Sequence, residues 1–208
     1  MTGALKYKSR LVRHIAGDSY EPSNADRLIE DILDLSKLEA GKMQLHRCPL
    51  SFLPLVERAA SGLSMQLKDK NLSVRLDIPG GLPRVMADGK QLGRVLTNLL
   101  TNAIKFSPQG GKITLSARYA EQCRGNRDCL EISISDEGPG IPVNHQKKLF
   151  IRYQQINPGN MFRKGTGLGL AICKEIILLH GGEIWVESPV KENTGTRFSF
   201  SLPLAPTE

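Results

Sequence analysis

Three short segments in fixed order constrain this chain more than anything else in it: Asn98-Leu-Leu-Thr-Asn102-Ala-Ile-Lys105, Asp136-Glu-Gly138-Pro-Gly140 and Gly165-Thr-Gly167-Leu-Gly169-Leu170. The first lies within Asp88 to Phe106, which reads as a long amphipathic helix. Asn98 and Asn102 are four residues apart and share a face, Lys105 joins it, and Leu92, Leu96, Leu99 and Ala103 point inward. Two amides and an ammonium suit a metal–phosphate group better than a core. Magnesium takes few protein ligands, keeps waters and completes its shell with phosphate oxygens. A single neutral Asn oxygen adds no negative charge beside a triphosphate, and Lys105 would offset phosphate charge. Taken alone, the same stripe also fits an ordinary exposed polar face.

Asp136 closes an apolar strand, Leu130 to Asp136, ahead of two glycines. A carboxylate there can accept from an exocyclic amine such as that of adenine. The contact is selective, because a buried acceptor without its partner is costly. Gly138 and Gly140 let the backbone approach a flat ring, although a plain turn uses the same residue types. Gly165 to Gly169 precedes a helix, Gly169 to His180, whose bare N-terminal amides favour phosphate. It is not a dinucleotide fingerprint, since the third position falls on Leu170. The chain also lacks a Gly-x-x-x-x-Gly-Lys-Ser/Thr loop and a His-Arg-Asp catalytic loop.

The 208 residues suit one domain plus an appendage. The net charge of +7 raises nucleic acid as a partner, but basic residues are spread along the chain and only 5% of residues are aromatic. No basic run interleaves with stacking residues, which argues against nucleic acid. Lys147, Lys148, Arg152, Arg163 and Lys164 gather beside the third segment, as an anionic ligand would want, although an ordinary solvated basic face uses the same residues. Cys48, Cys123, Cys129 and Cys173 form no Cys-x-x-Cys pair and have no histidines at zinc spacing. Reduced thiols and a cytoplasmic location are therefore expected, with a Cys123–Cys129 bridge across a turn as the disfavoured alternative. No signal peptide is visible and no apolar run nears the roughly 20 residues of a membrane span, so any membrane anchor would belong to a longer parent protein.

Leu28, Ile29, Ile32, Leu35 and Leu38 recur at helical spacing after a capping box at Ser23-Asn-Ala-Asp26, and Gly41 closes the run. This narrow stripe suits one strand of a helical bundle, and hence a homodimer through the 23–40 helix, with a helix packed on its own domain as the disfavoured alternative. Further on, Leu53 to Lys68 reads as a helix. Leu72 to Ile78, Ile113 to Tyr119, Leu130 to Asp136, Ile184 to Glu187 and Arg197 to Leu202 read as strands. The expected class is α+β: a two-layer α/β sandwich, with a mixed sheet and helices on one face. It divides into a helical appendage over 1–46 and a second domain over 47–208.

In their order these segments resemble the ATP site of the sensor histidine kinases, within the gyrase, chaperone, kinase and mismatch-repair ATPase superfamily. Asn98 to Lys105 is similar to the N box, Asp136 to Pro142 to the first glycine box, and Gly165 to Leu170 to the second. Phe150-Ile-Arg-Tyr153 stands where the family has its F box, with Tyr153 in the second aromatic place. Gly195-Thr196-Arg-Phe198 resembles the closing strand, and Ile32 to Gly41 the end of the second dimerisation helix. The resemblance runs from about Ala25 to Pro203. It implies a Bergerat-type ATP fold, ATP and Mg2+ as cofactors with Asn102 holding the metal, and Asp136 reading adenine. It also implies a lid over Ile151 to Lys164 and a response regulator receiver domain as partner. The nucleotide-binding set it implies is Asp136, Gly138, Gly140, Phe150, Tyr153, Arg163, Lys164, Gly165, Thr166, Gly167, Leu168, Gly169 and Thr196.

The pattern breaks at the phosphoacceptor. Of His14, His46, His145 and His180, none is followed by an acidic residue, and only His14 lies in the right region. His14 is too close to the second-helix motif to leave room for two long helices and a turn. Two functions stay open: the catalytic piece of a histidine kinase, acting on a histidine supplied elsewhere, or a nucleotide-binding regulatory module without phosphoryl transfer. A clamp-type ATPase is weaker, because no glutamate stands three or four residues before Asn102.

Overall fold

The computed structural model describes residues 29, 32–38, 40–123, 127–154, 166–190 and 194–206. The Ser23–Asp26 capping box, His14, Arg163, Lys164, Gly165 and most of the expected lid lie outside them. In chain order the elements are a helical stretch over 32–38 (α1), β1 (Cys48–Leu50), α2 (Leu53–Gly62), α3 (Ser64–Asp69), β2 (Ser73–Asp77), β3 (Val85–Ala87) and α4 (Gly89–Phe106). They continue with β4 (Lys112–Cys123), β5 (Arg127–Asp136), α5 (Val143–Gln146), α6 (Gly169–Leu179), β6 (Ile184–Glu187) and β7 (Thr196–Pro203).

Period-two alternation in β4 and β5 fixes the layers. Ile113, Leu115, Ala117, Leu130, Ile132 and Ile134 are buried on one side of the sheet. The opposite side carries Thr114, Ser116, Glu131, Ser133 and Ser135, with Ser116 and Ser133 sharing a 2.7 Å hydrogen bond. Five strands run in the order β2-β4-β5-β7-β6, with β2–β4 parallel and the other pairings antiparallel. The helices cover the apolar side, where Leu92, Leu96, Leu99, Ile172 and Ile176 meet Phe200 and Leu202. The expected mixed sheet with helices on one face is the observed architecture.

Four features depart from the sequence reading. The helix expected over Leu53 to Lys68 breaks at Leu63, a residue with φ −108° and ψ 10° that caps α2 and starts α3. β1 and β3 pair antiparallel as a separate two-stranded sheet; three residues each are too few for a periodic signal. Part of the 23–40 stripe is already partnered, since Leu35 is buried in the core and Asp34 forms an ion pair with Arg94 of α4. Ile29 and Leu33 remain exposed. Finally, the thiols expected to be reduced at Cys123 and Cys129 form a disulfide. A register shift between Ala120 and Cys123 brings their Cα atoms to 5.9 Å, within disulfide reach.

His180 caps the C-terminal end of α6 and is buried. Its Nδ1 faces only the Ile176 carbonyl at 2.8 Å and so donates; its Nε2 accepts from the Asp88 amide at 3.0 Å. These partners fix the neutral tautomer. Burial, with Arg47 nearby, pushes the His180 pKa down, against the raising influence of the Ile176 bond and Asp88. Burial opposes ionisation of Asp88 as well, but the amides of Gln91, His46 and Lys90 outweigh it and hold its carboxyl below the usual range. The His180 contribution to stability should therefore be present above the ordinary histidine value of about 6.5 and be lost as pH falls through the lower folded value. Urea midpoints of wild type and His180→Gln at pH 7.5 and pH 5 test this: the gap between them should narrow at pH 5, and a constant gap would contradict the assignment.

Candidate nucleotide site

The site is organised around α4. Asp88 caps its start, with Oδ1 accepting from the Lys90 and Gln91 amides at 3.0 and 3.1 Å. With Leu92, Val95, Leu96, Leu99 and Ala103 buried, the half-buried Asn98, Asn102 and Lys105 are left on the remaining face. The Lys105 ammonium lies 4.9 Å from the centre of the Phe106 ring.

Two contacts tie α4 to the glycine segments. A Cβ added to Gly169 would lie 2.6–3.0 Å from the amide atoms of Asn98. The Asn98 amide therefore lies against the first residue of α6, and only glycine leaves it room. A Cβ on Gly138 would lie 2.9 Å from the Phe106 carbonyl and 2.7 Å from Asp136 Oδ1. The same helix thus touches the second glycine segment near its middle and the first at its C-terminal end.

Asp136 ends β5 with only 8% of its surface exposed. Its Oδ1 accepts from the Gly138 amide at 2.8 Å, and the backbone of Thr196, its register partner on β7, also donates to it. Burial outweighs these bonds and pushes its pKa up to about 6. Gly140 has φ +77°, which favours glycine. Thr196 is buried, its hydroxyl 3.3 Å from Ser188 Oγ.

Unlike α4, α6 has no side-chain cap. Thr166 Oγ1 accepts from the Leu168 amide at 3.2 Å, and Gly167 has φ +69°. The first amides of α6 stay available to an anion. Leu168 itself is buried in the core. Tyr153, exposed and at φ +61°, donates its amide to the Gly167 carbonyl at 3.0 Å. Phe150 packs edge-on against Phe198 with centroids 6.3 Å apart, so it anchors this segment to the sheet.

Sequence reasoning missed Ser188 and the role of Gly195. Ser188 Oγ accepts from the Ile141 amide and donates to the Gly195 carbonyl, and the Gly195 amide donates to the Gly138 carbonyl at 2.7 Å. These bonds clamp the loop after Asp136 to the β6–β7 connection. No local pattern announces a serine nearly 50 residues away. A cavity of about 300 Å³ on the polar side of the sheet, lined by Asp77, Lys112, Thr114, Ser116 and Arg197, reaches Asp136 and Gly195 of the site. It lies across the sheet from α4.

Residues 87–206 match the family described as histidine kinase-, DNA gyrase B- and HSP90-like ATPase. The chain belongs to this ATPase family. The adaptive-response sensory kinase SasA of Synechocystis is 38% identical over 179 residues, which is 86% of this chain and 45% of that protein. The chain therefore spans less than half the length of this curated relative. Full-length ShkA in complex with AMPPNP superposes with a TM-score of 0.74 at 26% identity, over 89% of this chain and 37% of that one. The catalytic domain of histidine kinase ThkA gives 0.64 at 29% identity, over 78% and 97%. The domain is an ATP-binding fold of the histidine kinase type, and no helix among the described residues is long and apolar enough to cross a membrane.

Proposed function

We propose that the chain is the ATP-binding catalytic domain of a two-component sensor histidine kinase, transferring the ATP γ-phosphoryl group to a histidine outside the described residues. The observation that carries this reading is the double contact of α4, at Asn98 with Gly169 and at Phe106 with Gly138. It gathers a buried carboxylate, a stripe of amides and an uncapped helix start around one helix. Asp136 accepts from the adenine amine, the α6 amides take phosphate oxygens, and Lys105 offsets their charge. Among the described residues no three His, Cys, Asp or Glu gather as a metal cage. The donor set fits magnesium, which accepts one neutral oxygen, here Asn102, with waters and phosphate oxygens. When bound, the ion neutralises charge on the transferring phosphate. The rest is positioning, which α4 supplies as a rigid element.

The 23–40 segment supports a homodimer reading through its exposed Ile29 and Leu33, and a response regulator receiver domain is the partner that follows from a sensor-kinase role. His180 is no acceptor, because both ring nitrogens are engaged in the interior. The competing regulatory-module reading rests on the absence of an acidic neighbour after any of the four histidines. Incubation with γ-labelled ATP, with and without a separate acceptor-helix fragment, separates the two. The expected result is acid-labile label on the fragment and little on the chain alone. ATP binding without any labelled fragment would favour the regulatory module. Stoichiometric label on the chain, lost in His14→Gln, would place the acceptor at His14 instead.

A further inference from the structure

We propose that Lys70 is a positioning residue for the nucleotide site, holding the C-terminal end of α4 in register with the loop that follows Asp136; this rests on the ATP-site reading above. Lys70 follows α3, far in sequence from every site motif. Its Nζ donates to the carbonyls of Ile104 and Lys105 at 2.8 Å each and of Ser107 at 3.2 Å. An ammonium has three N–H donors, and all three are used on carbonyls at the end of one helix, where the helix itself leaves acceptors without partners. The Lys70 carbonyl in turn accepts from the Gly110 amide at 3.0 Å. Main chain and side chain of one residue thus grip both sides of the α4–β4 turn.

This turn carries two parts of the site. Lys105 lies in the last turn of α4, and the next carbonyl, that of Phe106, sits where a Gly138 Cβ would reach within 2.9 Å. Gly138 donates to Asp136. A shift at the end of α4 would therefore displace Lys105 and the adenine-reading carboxylate relative to each other. The grip is also electrostatic. The C-terminal end of a helix carries partial negative charge, which disfavours a polyanion nearby, and Lys70 places a fixed cation on it.

The test measures adenosine and ADP–magnesium affinity by calorimetry in wild type, Lys70→Met and Lys70→Arg, with thermal unfolding followed alongside. We expect Lys70→Met to weaken ADP by at least tenfold and adenosine by less, and Lys70→Arg to return ADP to within about threefold of wild type. If Lys70→Met does not fold, Lys70→Gln, which keeps donors without the charge, replaces it under the same criteria. ADP affinity within twofold of wild type in the neutral variant overturns the proposal. So does equal loss in the neutral and arginine variants, which would mark lost packing. Wild-type protein that binds neither ligand would instead refute the ATP-site reading itself.

Discussion

Asn102→Ala is expected to remove the magnesium-dependent share of ATP affinity and to lower phosphoryl transfer to an acceptor fragment on the order of 100-fold or more, the scale of losing one preorganised electrostatic contact to the reacting group. The substitution deletes one neutral oxygen from a half-buried position on the face of α4 turned away from the core. It leaves the buried stripe of Leu92, Leu96, Leu99 and Ala103 untouched. Alanine is the best helix former, so unfolding temperature should hold or rise slightly. Calorimetry with magnesium or a chelator gives the readout. Wild type should bind ATP more tightly with the metal, and the variant should bind equally in both. Metal-dependent binding that survives in the variant would move the metal ligand elsewhere.

Asp136→Asn is expected to weaken ATP on the order of tenfold to 100-fold, because the new amide can turn a donor toward the adenine amine and leave buried groups unpaired, at about 1–3 kcal/mol. The same carboxylate predicts a pH dependence. Burial pushes its pKa up to about 6, so the folded protein binds a proton there that the unfolded chain, titrating near 3.9, does not. The sign follows: Asp136 favours the empty fold increasingly as pH drops from above 6 toward 4, while ATP, which needs the carboxylate as acceptor, binds progressively less well over that window. Affinity titrations at pH 5, 6, 7 and 8 should show a bend near 6 in wild type and none in Asp136→Asn. Wild type should also prefer ATP to GTP, since the guanine carbonyl would meet the carboxylate acceptor to acceptor. Equal affinity for the two nucleotides, or a bend that persists in the variant, would show that Asp136 does not read the base.

Much of this was legible because it is local. Apolar spacing along α4 set its face, and the alternation of Ile113 to Ala117 and Leu130 to Ile134 gave strands with one buried side, which is why the mixed sheet with helices on one face could be expected. The run of β-branched and aromatic residues at Ile184–Glu187 coincides with β6. What escaped was either too short or too distant. β1 and β3 have three residues each. The break at Leu63 follows Gly62, but a lone glycine inside a helical pattern is tolerated as often as it ends the helix, and Leu63 itself is a buried residue of the core. The Cys123–Cys129 bridge depended on a register shift in the hairpin, which composition does not encode.

At the site the division follows the range of the interaction. By itself the sequence determined which residue types stood ready: an acidic strand end, amides four apart on a helix, glycines before a helix start. Each follows from backbone geometry within a few residues. Only the tertiary structure decided why several of those glycines are needed, because the neighbours of Gly169 and Gly138 are Asn98 and Phe106, roughly 70 and 30 residues away in the chain. It also decided that Ser188 and Gly195 hold the Asp136 loop and that Lys70 grips the end of α4. Such contacts use ordinary side chains whose partners are set by packing of the whole sheet and its helices, and packing has no period that a sequence can display.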